Sequence, residues 1–399
     1  MRLSEILFYL FLLAKPFYFF KSGGVQPGDV FLALSAVAYI VENRLQLYYK
    51  SIDKAYLFFY FFVIVINLIY FSIYYGDTPV LSFILPILYY LYNLLVIILC
   101  RYFFKKKEGL LRLRTVVRLS LYIQLLLYFV APSFLVDTSE VRYTGTFNDP
   151  NQLGFFLLSS IYVIVVINRK LKQRERLIDH ICAMILLFAT SSTGILLGFA
   201  SLYFFYLLFF EDMTSLLNKV LLFIFGGLVA VLLLQIVGTT FISGFEDSFL
   251  YKRLMTKIDK GLTNSSNNSG SYGELTLIQE RGIDRVLLYP QYLLFGAGEG
   301  YYKRFVLSAI QLEIHSTFLG MLFYYGIIPF SSLLYWIWGN IRKSGQLIWI
   351  VFLPLIIESF TLANQRQPYF WILFVLASTS FANVKKKDGE LVRNKEKLT

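Results

Sequence analysis

Stretches of about twenty consecutive apolar residues recur along this 399-residue chain, and that is the length a helix needs to cross a hydrocarbon core. In lipid every backbone N–H and C=O must pair within the protein, so runs of this kind specify helices or closed barrels. Barrel strands alternate in polarity at every second residue, whereas these runs are continuous, which argues against a barrel. The expected fold class is therefore an all-α polytopic membrane protein. Composition agrees, with 57% hydrophobic residues, 19% aromatic residues and a mean hydropathy of +0.62.

Reading the runs in turn gives about twelve spans of membrane length. They fall near 3–20, 28–42, 55–75, 79–100, 115–136, 152–168, 177–191, 193–211, 219–238, 315–337, 347–363 and 369–383. The first run passes into Lys15-Pro16 without a small-residue cleavage site, so it is expected to remain as a span. Basic clusters at Arg44/Lys50/Lys54, Arg101 to Arg114, Arg169 to Arg176, Arg342/Lys343 and Lys385 to Lys387 all fall on one side of that arrangement. By the positive-inside rule this side is cytoplasmic, which puts both termini and the tail 384–399 inside. The formal charge of +12 is then a topology signal and not a nucleic-acid footprint. Cys100 and Cys182 lie in apolar segments and offer neither a disulfide framework nor metal-ligand spacing.

The outward side receives the 137–151 loop, short turns at 74–78, 191–193 and 364–368, and one long loop over 239–314. Within that loop Leu250, Leu254, Ile258 and Leu262 recur at helical spacing, TNSSNNSGS (263–271) is polar, and 274–289 suits a short amphipathic helix. Neither a repeat nor a soluble domain boundary is evident, so residues 1–399 read as one integral membrane domain.

Several residues at the outward edge have the chemistry of a site. Asn148-Asp149-Pro150 is turn chemistry that launches a helix, and the free amides at Asn151–Gly154 with Arg142 nearby suit an anion; a plain helix cap with an interfacial arginine is the competing reading. Arg281 and Arg285, one turn apart on the 274–289 helix, form a fork for a diphosphate, unless Asp284 merely offsets them. GAGEG (296–300) lacks a surrounding βαβ unit and is not a nucleotide loop; it permits close backbone approach, with Lys303 and Arg304 at its lip. His315, one of two histidines, begins the tenth span, where an imidazole can accept a proton or bind phosphate; an ordinary helix-end histidine is the alternative, which His180 illustrates. ATSSTG (189–194) makes a polar turn between two short spans and is a candidate wall. Glu358 is an ionisable group inside a span, six residues from Asn364 and roughly 9 Å away in helix rise, with Arg366 as a candidate partner; a buried carboxylate held by neighbouring hydroxyls is the competing reading.

Taken in order, RYTGTFNDPNQLGFF (142–156), STGILLG (192–198), FGAGEGYY (295–302) and HSTFLGMLFYYGIIPF (315–330) resemble the O-antigen polymerase and O-antigen ligase family of bacterial envelope enzymes. The resemblance covers about residues 140–330 and is one of hydropathy alone over the first hundred. It implies a GT-C-type membrane glycosyltransferase of the bacterial inner membrane, metal-independent and without cofactor. Donor and acceptor would be undecaprenyl-diphosphate-linked oligosaccharides, with membrane lipids as surroundings and a chain-length regulator protein as a further partner. Under the resemblance Arg142 and the loop arginines Arg281, Arg285 and Arg304 would hold the diphosphate, and His315 would activate or position the acceptor hydroxyl. From their own chemistry Asn151 is expected beside the diphosphate and Glu358, outside the matched segment, as a second catalytic candidate. One departure is Gly273-Glu274, where the family often has Gly-Arg. A polymerase is the first expectation, a ligase acting on lipid A-core the second. A lipid or glycan transporter is the third, disfavoured because inverted repeats and midplane coupling charges are not seen.

Overall fold

The computed structural model describes residues 1–20, 24–131, 136–137, 142–209 and 275–379. The expected span at 219–238, the periodic segment 250–262, the polar tract 263–271 and the tail 384–399 lie outside the described residues.

The described chain is mostly helical, and its only ladder is a two-residue antiparallel pairing of β1 (Val136–Asp137) with β2 (Arg142–Tyr143). Among the described residues four helices are long and apolar enough to cross a membrane: α3 (Asp53–Ile73), α4 (Leu81–Phe103), α5 (Lys107–Val130) and α6 (Pro150–Lys170). The shorter helices are α1 (Leu3–Ala14), α2 (Pro27–Glu42), α7 (Leu177–Thr190) and α8 (Thr193–Phe209), then the short loop helices α9 (Leu277–Glu280), α10 (Asp284–Leu288) and α11 (Tyr292–Phe295), and further pieces toward the C-terminal end of the described chain. An all-α membrane protein fits this; twelve uninterrupted spans do not.

The breaks have local causes. The expected tenth span is split into α12 (Thr317–Tyr325) and α13 (Ile327–Ile341) at Gly326, whose φ of +77° only glycine adopts without strain. The split frees the last carbonyls of α12, and the Gly-rich loop takes them: Ala297 N–H donates to Phe323 O at 3.0 Å and Gly298 N–H to Tyr324 O at 2.8 Å. A Cβ at Gly326 would collide with the Leu294 carbonyl, so the loop docks only against glycine. The expected eleventh span begins as a π turn over Ile348–Phe352 and continues as α14 (Leu353–Ser359). Pro354 has no N–H to give Ile350, and a wider turn accommodates the missing bond. The last helix is α15 (Pro368–Ala377).

Helix α6 is the hub. Inside the protein 89% of its apolar window is buried, against 28% for α3, so α3 lies toward the lipid and α6 is surrounded by protein. It packs on α5, α7, α8 and α15, and α15 is buried along its whole length. At the end of the bundle carrying the basic loops, Asp53 accepts from Arg101 Nη2 at 2.7 Å and from Trp336 Nε1 at 2.9 Å, while Arg101 also donates to Asn340 Oδ1 at 2.6 Å. That buried knot ties α3, α4 and α13 together and leaves the other end to the loops.

Candidate functional site

At the end of the bundle opposite that knot, five chain segments surround a cavity of about 160 Å³. Its walls are Asn151 at the start of α6, Ser192 in the α7–α8 turn with Thr193 and Gly194 at the start of α8, Glu280 and Arg281 at the end of α9, His315 ahead of α12, and Thr361 with Leu362 after α14. Three residues singled out in the sequence, Asn151, Arg281 and His315, thus come together from segments far apart in the chain. So does the ATSSTG turn, where Ser191 takes a left-handed φ of 49° between the two helices.

The cavity walls are tied to one another. His315 N–H donates to Arg281 O at 2.9 Å, and the Arg281 guanidinium donates to Thr361 O. Ser192 Oγ donates to Asn151 Oδ1 at 2.7 Å. Thr317 donates through both N–H and Oγ1 to Leu362 O, at 2.9 and 2.7 Å. A guanidinium, an imidazole, a carboxylate, an amide and several hydroxyls therefore line one space, a donor-rich set suited to a phosphate or a sugar. At ~30 Å³ per water the space holds about five waters, enough for one phosphate-sized group.

Arg142 stands behind this wall. It is buried, and its guanidinium donates to Thr190 O at 2.8 Å and to Asn151 Oδ1 at 3.2 Å, stitching the end of α7 to the start of α6. A cation at a helix C-terminus is well placed against the dipole. The expectation of an anion on free amides at 151–154 is corrected: Asp149 caps α6, accepting from Asn151 N–H at 2.7 Å and Gln152 N–H at 3.2 Å.

The Arg281/Arg285 fork is also corrected. Instead of one helix over 274–289 there are α9 and α10, separated at Gly282 with φ +64°. The turn sends the two arginines apart. Arg285 is fully buried, donates to the Ile310 and Leu312 carbonyls, and is flanked by the Tyr302 and Phe305 rings at 5.6 and 5.4 Å. Asp284 does not serve as the foil for Arg281 that the spacing proposed; Ser308 Oγ at 3.0 Å and Ala309 N–H at 2.9 Å donate to it. Arg304 is held against the Ala297 and Gly298 carbonyls and stacks on Phe305 and Tyr70 at 4.7 and 4.8 Å. Burial lowers the affinity of both guanidiniums for their proton. Neither lines the cavity.

Glu358 is fully buried below the cavity floor. Asn364 Nδ2 donates to its Oε2 at 2.6 Å, because the chain turns back after α14 and closes the 9 Å expected of a continuous helix. A Cβ at Gly198 would lie 2.9 Å from Glu358 Cβ, so α8 packs directly on it. Glu358 does not line the cavity, and Arg366 is not its partner: Arg366 pairs with Glu299 at 2.7 Å and Glu313 at 2.8 Å. Sequence reasoning missed Glu280 and Thr361 as wall residues and Glu299 as a buried anion. The glycines around Glu299 masked it, though a lone acid in an apolar glycine loop is itself the signal of a buried partner.

A larger hollow of about 460 Å³ lies at the far end of α6 beside Arg169, Lys172 and Tyr206, and it gathers none of the residues expected at the site. No protein-family model matches this sequence, and no characterised protein matches it.

Proposed function

We propose that this chain is a multi-pass inner-membrane glycosyltransferase that elongates a lipid-linked surface polysaccharide. The observation that carries the reading is the convergence of Arg281, His315 and Asn151 on one polar cavity at the end of an apolar helical bundle. In this reading the chain crosses the membrane about twelve times in a GT-C-type arrangement, since broken and shortened helices are tolerated at membrane depth when buried in protein. Both termini are cytoplasmic and the cavity opens to the periplasm.

The chemistry is a displacement at an anomeric carbon. A hydroxyl of the acceptor sugar attacks, its proton passes to the His315 imidazole, and the bond from the anomeric carbon to the diphosphate oxygen breaks. Negative charge grows on the departing lipid diphosphate, so a guanidinium such as that of Arg281 stabilises the transition state more than the ground state. Glu358 and Arg142 then act behind the cavity, holding the floor and the α6–α7 wall. Apolar helices supply a surface for the polyprenyl tail.

Purified protein in lipid, given only an undecaprenyl-diphosphate oligosaccharide, is expected to yield a ladder of longer lipid-linked chains. Product only after lipid A-core is added would make it a ligase. Movement of the lipid between leaflets without any new glycosidic bond would replace the enzymatic reading with transport.

A further inference from the structure

Arg366 bridges two carboxylates that come from different parts of the loop. Its Nη2 donates to Glu299 Oε1 at 2.7 Å, and its Nη1 lies 2.8 Å from Glu313 Oε2. Glu299 is wholly buried and is itself fixed, accepting from Tyr325 Oη at 2.8 Å while its N–H donates to Asn67 Oδ1 at 3.0 Å. The Tyr89 ring covers the guanidinium at 5.2 Å. One side of the bridge is thus anchored in α3, α4 and α12, and the other side, Glu313, is two residues ahead of His315.

On the far side of His315 the same turn makes a second attachment, through Thr317 to Leu362 O and through Asn364 N–H to Thr317 Oγ1 at 2.8 Å. Segments 313–317 and 362–366 are therefore joined at two points that bracket the histidine. A residue without regular structure on either side gains a fixed orientation from such ties, which here add to the hydrogen bond from the His315 N–H to Arg281 O, and catalytic groups need positions good to a fraction of an ångström.

We propose that Arg366, acting with Glu299 and Glu313, is a positioning residue that sets the orientation of His315 toward the cavity. Arg366 touches no substrate in this arrangement; its charge is taken up by two carboxylates, and its work is to hold the segment that carries the imidazole. The inference rests on the proposed glycosyl transfer only for its kinetic consequence.

The test uses the full chain in nanodiscs with ¹³C,¹⁵N-labelled histidine. The chain has two histidines, and His180, hydrogen-bonded to Tyr203 at the other end of the bundle, is an internal reference. Arg366→Gln is expected to shift and broaden the His315 ring signals while leaving those of His180 in place. Glu313→Gln removes only the arm next to His315 and is expected to do the same to a smaller degree, with Glu299 still holding Arg366. Arg366→Lys, which retains charge but not the fork, is expected to fall between. In the ladder assay the expected loss for Arg366→Gln is about 10- to 100-fold in kcat with donor KM little changed, the scale on which ångström misplacements act.

Unchanged His315 signals in folded Arg366→Gln and Glu313→Gln would overturn the proposal. Shifted signals together with an undiminished ladder from His315→Ala would keep the positioning role and remove the glycosyl-transfer reading, so the two failures are distinct.

Discussion

The backbone N–H of His315 donates to the carbonyl oxygen of Arg281 at 2.9 Å, joining the segment before α12 to the turn after α9. The two side chains with the strongest claim to chemistry are thereby joined at the wall of one cavity.

Their replacement should be costly and specific. His315→Ala is expected to lower the rate of ladder formation by about 10²- to 10⁴-fold, the range for loss of a general base. Arg281→Ala should cost on the order of 10²-fold by loss of charge stabilisation. His180→Ala, altered far from the cavity, should leave the rate unchanged; equal losses for all three would show that the effect is one of folding.

Gly198 faces Glu358 and Leu158 with no room for a methyl group, its added Cβ lying 2.9 and 2.8 Å from their nearest atoms. Gly198→Ala should therefore push α8 away from α14 and lower stability by about 1–3 kcal/mol. Thermal unfolding in detergent measures this, and an unchanged midpoint would mean that the two helices part freely.

The Asp53–Arg101 pair at the other end is nearly dry, with side chains 4% and 1% exposed and a separation of 2.7 Å. Removing one member strands the other, so Asp53→Asn is expected to destabilise by about 3–5 kcal/mol. Denaturant unfolding checks the loss. Activity per folded molecule should be retained, because the pair is remote from the cavity.

Asp149 caps α6 through two backbone N–H groups. Asp149→Ala should cost about 1 kcal/mol, and Asp149→Ser should recover most of it. If a phosphate rather than Asp149 were the natural cap, the alanine variant would instead be stabilised by added phosphate in the same unfolding measurement.

The sequence was legible wherever one-dimensional pattern controls the outcome. Apolar runs located α3, α4 and α6 to within a few residues and α5 only in part, since it begins at Lys107 and takes in the basic residues expected in a loop; Asp149-Pro150 marked the start of α6, and the Ser-rich turn between α7 and α8 stood out by polarity alone. The break at Gly326 was not legible, because a glycine within an apolar run is tolerated in membrane helices; what makes it a break is the loop that docks on it. Arg281 and Arg285 shared a helical face only on paper, since Gly282 turns the chain between them.

Taken alone, the sequence determined that the chain is a helical membrane protein, because span-length apolar runs leave the backbone no other way to satisfy its hydrogen bonds in lipid. Which charges face a cavity and which are interior struts was decided by the tertiary structure. Arg285 and Arg304 carry the same expectation as Arg281 in the sequence, yet they end on backbone carbonyls and aromatic rings away from the cavity; Arg366, expected beside Glu358, ends between two carboxylates; Arg281, held by the Thr361 carbonyl, borders the cavity. A buried cation must find a partner, and its partners come from residues distant in the chain that only folding brings within reach.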